Sequence, residues 1–356
     1  MAKAVDHWSE LASTYQERGI ALFLGAGVSV GLNIPNWDRL LDQLIDDLIP
    51  ASEKLSLASL MSAGFSLPAV AALLERKAGG PEAFAKRVRK VLYAQPTRRF
   101  GVSKRGIPAA SVEAFLQFVR KGNVTLAAAA ALCVTPNGKS AIRNPRVHAV
   151  VNFNFDDLFS LYTRKTYHDR IFRNTERASK SALPMRYTSY YYPHGRLGLS
   201  PESKSDAESS DLLVFTEQSF FDFYNRPNAL FNYTLMFLLR EYHCLFLGVS
   251  FRDENLRRLL HYSACERREH YLKEKGGDPA QRSSKGVPYG EQANQRILRH
   301  YAVFRQSDFA GALQHHWTES LAPLGVNPLW ISDWLELPSR LGTVYGREWS
   351  SVYPHL

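Results

Sequence analysis

Hydrophobic positions along this chain follow two rhythms. Residues 20–24, Ile-Ala-Leu-Phe-Leu, are apolar without a break, as expected of a strand buried on both faces of a parallel sheet. Residues 244–247, 301–304 and 329–331 repeat that texture, and 212–215 reads as a further short buried strand. Residues 187–192, rich in aromatics and hydroxyls, predict another strand. The stretch 147–157 begins apolar and ends Asn152-Phe153-Asn154-Phe155-Asp156-Asp157, which predicts a strand that delivers polar groups at its carboxyl end.

Between these runs the spacing changes to three and four residues. Trp8, Leu11, Ala12 and Tyr15 mark an amphipathic helix ahead of the first strand. Leu40, Leu41, Leu44, Ile45 and Leu48 mark a second over 38–49, stopped by Pro50. From there to about residue 144 the chain is rich in alanine and leucine at helical spacing. Further helices are expected within 219–241 and from about 254, with a charged helix and loop over 266–294 and a flexible polar loop over 201–211. Strands alternating with helices predict an α/β fold, a Rossmann-like doubly wound parallel sheet with a helical insertion. The division expected is 1–37 with 145–356 as the Rossmann-like domain and 38–144 as the helical insertion subdomain. No internal repeat is visible.

Composition narrows the class. The chain has 356 residues, 45% hydrophobic and 22% charged, the balance of an ordinary globular protein. The N-terminal stretch mixes charged, polar and aromatic residues, unlike a signal peptide, and the apolar run 124–134 is too short to span a bilayer. A cytoplasmic protein without membrane association is therefore expected. Three scattered cysteines, Cys133, Cys244 and Cys265, lack the close pairing of a zinc site, so no metal is expected. The net charge of +10 comes almost wholly from residues 76–105, where ten Lys or Arg face one acid, Glu82. That block is a candidate contact for nucleic acid or an acidic partner, and equally reads as a solvated helix face.

Candidate chemistry begins where the first strand ends. Gly25-Ala26-Gly27-Val28-Ser29 is a turn in which glycines let the backbone approach a phosphate and point amides at it. A strict dinucleotide fingerprint has its third glycine earlier than Gly31, and a plain tight turn reads the same ten residues as well. Asn137-Gly138-Lys139-Ser140 is rejected as a phosphate loop, because the required earlier glycine falls on Cys133 and no strand precedes it. His315-His316 lacks a partner at metal-ligand spacing.

Four segments in order carry a resemblance: Gly25-Ala26-Gly27-Val28-Ser29, Asn152-Phe153-Asn154-Phe155-Asp156, His194-Gly195, and the run from Leu247-Gly248-Val249-Ser250 through Phe251-Arg252-Asp253-Glu254-Asn255-Leu256. With them the chain resembles the sirtuin superfamily, and among its members the sirtuin-like domains of bacterial antiphage effectors more than the protein deacetylases. The resemblance implies that Gly25, Ala26, Gly27 and Ser29 hold the pyrophosphate of NAD. Gly248 and Ser250 would line the adenosine side, and Asn154, Asp156 and His194 would surround the nicotinamide ribose as the catalytic set. Trp37 joins the cofactor-binding group from the loop Ile34-Pro35-Asn36-Trp37, which stands where the deacetylases carry an Asp-Phe-Arg run.

The absent cysteine pairs remove the zinc module of the deacetylases and favour water as the acceptor. The activity expected is NAD glycohydrolysis, with NAD as substrate and no further cofactor, in a defence role that depletes NAD. Asn154 is expected to hold ribose hydroxyls or orient a water and His194 to accept a proton, while Asp156 orients the loop or a ribose hydroxyl and Asp157 keeps a structural role. A homo-oligomer and a partner ATPase of the hexameric DNA-translocase, HerA type are implied by the same resemblance. A protein deacylase, or a non-catalytic NAD or ADP-ribose binder acting with nucleic acid, are the alternatives.

Overall fold

The computed structural model describes residues 6–103, 106–134, 145–167, 172–173, 188–199, 213–225, 230–274, 300–309 and 311–353. Among these residues seven strands, β1 Ile20–Leu24, β2 Val147–Asn152, β3 Phe172–Arg173, β4 Thr188–Tyr191, β5 His243–Leu247, β6 His300–Arg305 and β7 Val326–Ile331, form one sheet in the order β3-β4-β2-β1-β5-β6-β7. Every pairing is parallel. The architecture is thus the α/β Rossmann-like one that the alternating pattern predicts. The two-residue strand β3 left no pattern to read.

Parity along the buried strands divides the core in two. Ile20, Leu22 and Leu24 of β1 join Val147 and Val150 on one face, while Ala21 and Phe23 join Ala149, Val151 and Phe246 on the other. Each face is covered by helices, so both parities must be apolar. The second face packs against helices Leu230–Glu241 and Glu254–Glu274. The first meets helices His7–Glu17, Val124–Leu132 and Leu337–Tyr345.

The region between β1 and β2 is helical: Trp37–Leu48, Ala51–Ser62, Leu67–Ala78, Pro81–Leu92, Ala94–Phe100, Ala109–Gly122 and Val124–Leu132. Asn36 caps the first of these, its side-chain oxygen accepting from the Arg39 amide at 3.0 Å. In Val124–Leu132 every residue after the first is buried, five of them alanines, because small side chains let this helix lie close against its neighbours. Its cap, Asn123, accepts from the Leu126 amide and donates to the Val28 carbonyl at 2.6 Å. That second bond ties the helical region to the turn after β1.

One strand expectation is overturned. Residues 213–216 form a turn rather than a strand, although Val214 and Phe215 are buried as the apolar run requires. The amide of Val214 donates to the His194 carbonyl, and those of Phe215 and Thr216 donate to the Ser219 hydroxyl. Amides committed in this way cannot join a ladder. Leu212, the loop 201–211, Asn137-Gly138-Lys139-Ser140, Lys104, Arg105 and the charged stretch beyond Glu274 up to Asn294 lie outside the described residues.

No described helix is long and apolar enough to cross a membrane. In the basic block, Lys77 pairs with Glu53, and Arg87 and Lys90 both pair with Asp47. Arg99 lies 3.9 Å over the Phe118 ring. Three of the block's ten cations thus face two acids supplied by neighbouring helices.

Candidate functional site

At β1 the sheet order reverses: β2 lies on one side of it and β5 on the other. In an open parallel sheet such a point leaves a crevice beyond the carboxyl ends of the strands. The turn after β1 occupies that crevice as a 3-10 turn, Ala26–Val28, followed by another, Val30–Leu32. No long helix opens directly from it, in contrast with a strict dinucleotide fingerprint.

The glycines of this turn have a definite mechanical reason. The Gly25 amide donates to the Leu247 carbonyl at 3.0 Å and the Gly27 amide to that of Gly248 at 3.1 Å. A Cβ on Gly27 would stand 2.7 Å from the Gly248 Cα, and one on Gly25 would collide with the Gly248 carbonyl oxygen. Gly248 has φ +67°, and a Cβ there would meet the Val28 nitrogen at 2.6 Å. The two glycine turns therefore pack backbone on backbone. The Val28 and Ser29 amides close the 3-10 turn on Gly25 and Ala26, so of the residues expected to hold a phosphate, Gly25, Gly27 and Ser29 have their amides engaged within the protein.

Beyond β2, Asn154 reaches into the same turn. Its side-chain amide donates to the Gly25 carbonyl at 3.0 Å and to the Ser29 hydroxyl at 3.4 Å. Its backbone amide is held by Asn152 Oδ1 at 3.0 Å. The Ser29 hydroxyl also stabilises the charged Asp156 carboxylate, whose Oδ1 accepts from the Leu158 amide at 3.1 Å. Asn154, Ser29 and Asp156 thus lie together, with Ser29 hydrogen-bonded to Asn154 and stabilising the Asp156 charge. Burial drives the Asp156 pKa up to about 6 against the stabilising bonds from Ser29 and Leu158. The nearby Asp157 carboxylate adds to the rise. Asp156 is consequently a carboxyl group that exchanges its proton near neutrality.

His194 follows β4 and is walled by aromatic rings: Phe153 at 5.2 Å, Phe220 at 5.8 Å and Phe223 at 6.5 Å. Its Nε2 stands 3.6 Å from Asp253 Oδ2. Asp253 is doubly employed, since its Oδ1 accepts from the amides of Asn255 and Leu256 and so caps helix Glu254–Glu274. Burial pushes its carboxyl up, but the His194 hydrogen bond and charge, with the two amides, outweigh that and hold it below the usual carboxylate value. A carboxylate kept ionised beside an imidazole orients the ring. Sequence reasoning gave Asp253 no role, although an Asp opening an amphipathic run is a legible cap signal.

Trp37 lies near this wall, 5.8 Å from Phe155, 4.4 Å from Phe215 and 6.4 Å from Phe220. Ser250 remains exposed on the rim, its Oγ accepting from the Arg252 amide at 3.4 Å. A further residue had no sequence signal at all: Tyr93, from the helical region. Its buried hydroxyl donates to the Leu197 carbonyl at 2.6 Å, accepts from the Asp157 amide at 2.9 Å and lies 3.1 Å from Asp157 Oδ1. Asp157 Oδ1 in turn accepts from the Leu199 amide at 3.0 Å. Burial, then the charges of Asp157 and Asp156, keep this phenol protonated well above its ordinary range. One hydroxyl thereby joins the loop bearing Asn154 and Asp156 to the segment that follows His194.

Among the described residues no group of three His, Cys, Asp or Glu gathers to hold a metal. Cys133 and Cys244 are buried, and burial holds the Cys133 thiol protonated far above its usual range. His315 and His316 each face Glu319 on the surface.

Residues 148–314 match the family model described as SIR2-like domain. The matched segment contains Asn154, Asp156, His194, Gly248, Ser250 and Asp253, whereas the Gly25–Ser29 turn and Trp37 precede it. The match supports a place in the sirtuin-like superfamily and is compatible with NAD-related activity. No curated protein matches the chain.

Proposed function

We propose that this protein is an NAD glycohydrolase, converting NAD and water to nicotinamide, ADP-ribose and a proton. The observation that carries the reading is the meeting of three strand ends at the switch point. β1 brings the glycine turn, β2 brings Asn154 and Asp156, and β5 brings Gly248 and the Asp253 that faces His194.

Breaking the nicotinamide–ribose bond passes through an oxocarbenium-like transition state. Such a state is favoured by groups that hold the ribose, carry negative charge nearby and accept a proton from the attacking water. Asn154, fixed between Gly25 and Ser29, orients a ribose hydroxyl or the water. His194, oriented by Asp253, takes the proton. Asp156, once ionised, places negative charge beneath the developing cation through Ser29 and Asn154. The rings of Trp37, Phe155 and Phe153 narrow access and lower the local dielectric, which strengthens each of these interactions. The resemblance to antiphage effectors adds the biological reading: NAD depletion in phage defence, switched on by assembly or by an ATPase partner.

The test follows nicotinamide and ADP-ribose from NAD with wild-type protein, alone and with candidate activators, beside Asn154→Ala and His194→Ala. Loss of about 100-fold or more in release is expected for each variant. Equal release by all three proteins would remove these residues from the reaction. Turnover that requires an acylated peptide would instead identify a deacylase.

A further inference from the structure

The loop after β5 holds one cation out over the rim of the site. Gly248 and Phe251 both have left-handed backbones, with φ +67° and +56°, and a bulky L-residue adopts that conformation only where its surroundings impose it. Here they do: Phe251 is buried, its ring 5.1 Å from Phe246 and 5.9 Å from Phe304. On the other side Asp253 is fixed by capping its helix. Arg252 sits between these two pinned residues, yet its own side chain is 81% exposed. It pairs at 3.5 Å with Asp38, which is 53% exposed in the first turn of helix Trp37–Leu48.

An ion pair this exposed contributes little and exchanges readily. The neighbouring glycine turn, meanwhile, has its Gly25, Gly27, Val28 and Ser29 amides engaged inside the protein. It offers less positive potential to an anion than an open helix N-terminus does, so a dinucleotide diphosphate held here would need countercharge from a side chain. Arg196, two residues after His194, is buried with its guanidinium 5.7 Å over the Tyr192 ring. Arg252 has the reach, the exposure and the planar fork that matches phosphate oxygens.

We infer that Arg252 is the diphosphate-recognising cation of this site and that Asp38 is the anion it releases when a nucleotide diphosphate binds. The inference rests on the NAD reading above and deepens it. Asp38 then acts as a built-in competitor, so the two residues have opposite effects on affinity.

Calorimetric titration with ADP-ribose, ADP and adenosine tests this. Arg252→Ala weakens ADP-ribose and ADP about ten-fold, the loss expected for a charged hydrogen bond, and leaves adenosine unchanged. Asp38→Asn tightens both diphosphates about two- to three-fold, and that gain vanishes in the Asp38→Asn, Arg252→Ala double variant. Arg39→Ala, which removes a neighbouring exposed cation, alters none of the three. Added salt weakens diphosphate binding more in wild type than in Arg252→Ala. Unchanged ADP-ribose affinity in Arg252→Ala, or weaker binding in Asp38→Asn, overturns the inference alone. Failure of the wild-type chain to bind ADP-ribose removes the NAD reading and this inference with it.

Discussion

Asp156 couples the chemistry of the site to the stability of the fold. Its pKa of about 6 in the folded protein lies above the ordinary 3.8, so between those values the folded state binds more protons than the unfolded chain. Stability associated with this group is therefore intact below about pH 4 and is lost as the pH rises through about 6. Above that the buried charge costs on the order of 2–3 kcal/mol. Asp156→Asn is expected to melt higher than wild type at pH 8, with little difference near pH 4, while losing nicotinamide release; a pH series of thermal melts reads the first effect. Identical melting curves at pH 8 would show that the carboxylate is not penalised. Asp253 behaves oppositely, because its pKa is held below 3.8: its contribution is present above that value and is lost as the pH falls through the folded pKa. Asp253→Asn keeps a good helix cap but removes the charge facing His194. It is expected to preserve helical circular dichroism while lowering kcat and shifting the pH profile of nicotinamide release. A profile that does not move would reduce Asp253 to a cap.

At the scale of elements, the site depends on contacts between loops from distant parts of the chain. The turns after β1 and β5 touch through glycine backbones. Gly27→Ala is accordingly expected to destabilise by about 1–3 kcal/mol, as overpacking does, and to impair turnover. A variant with wild-type melting and activity would show that the turns can separate at no cost. Tyr93 clamps the segments after β2 and β4 from the helical region. Tyr93→Phe removes one oxygen and leaves the Leu197 carbonyl and Asp157 amide without that partner, a loss of about 1–3 kcal/mol. Urea unfolding measures it, and a fall in kcat at unchanged KM would mark the clamp as positioning the catalytic loops rather than merely stiffening the fold. Nothing around Tyr93 in sequence announced this contact, which spans 64 residues to Asp157 and 104 to Leu197. By contrast, the turn at 213–216 satisfied the hydrophobic pattern of a strand. An apolar run records burial, and only hydrogen-bond partners decide whether its backbone joins the sheet.

For the whole molecule, the core on the first sheet face runs without interruption from the helices between β1 and β2 into the sheet and on to the C-terminal aromatics Tyr345, Trp349 and Tyr353. Leu22 belongs to that face and Phe23 to the other. Leu22→Ala and Phe23→Ala should each cost about 3–5 kcal/mol, and Val88→Ala in helix Pro81–Leu92 about 1–3 kcal/mol. All three are expected to lower one shared calorimetric transition. A separate transition shifted by Val88→Ala alone would show that the helical region melts on its own. The basic block reads differently at this scale as well. Lys77, Arg87 and Lys90 face acids from helices that precede them in sequence, so a linear charge count overstates the field that a partner meets.

The parallel sheet and, apart from β3 and the turn at 213–216, its order of elements were legible in one dimension, because a strand buried on both faces must be apolar at both parities and a helix must repeat at three and four. The polar residues that end β2 and the glycines that end β1 and β5 were visible for the same local reason. What the linear pattern could not contain is distance. That Gly27 meets Gly248, that Asn154 and Asp156 meet through Ser29, that Asp253 faces His194 and that Tyr93 spans two loops all arise from strands brought side by side by packing. Those contacts turn a set of suggestive residues into a candidate site with defined partners and charges.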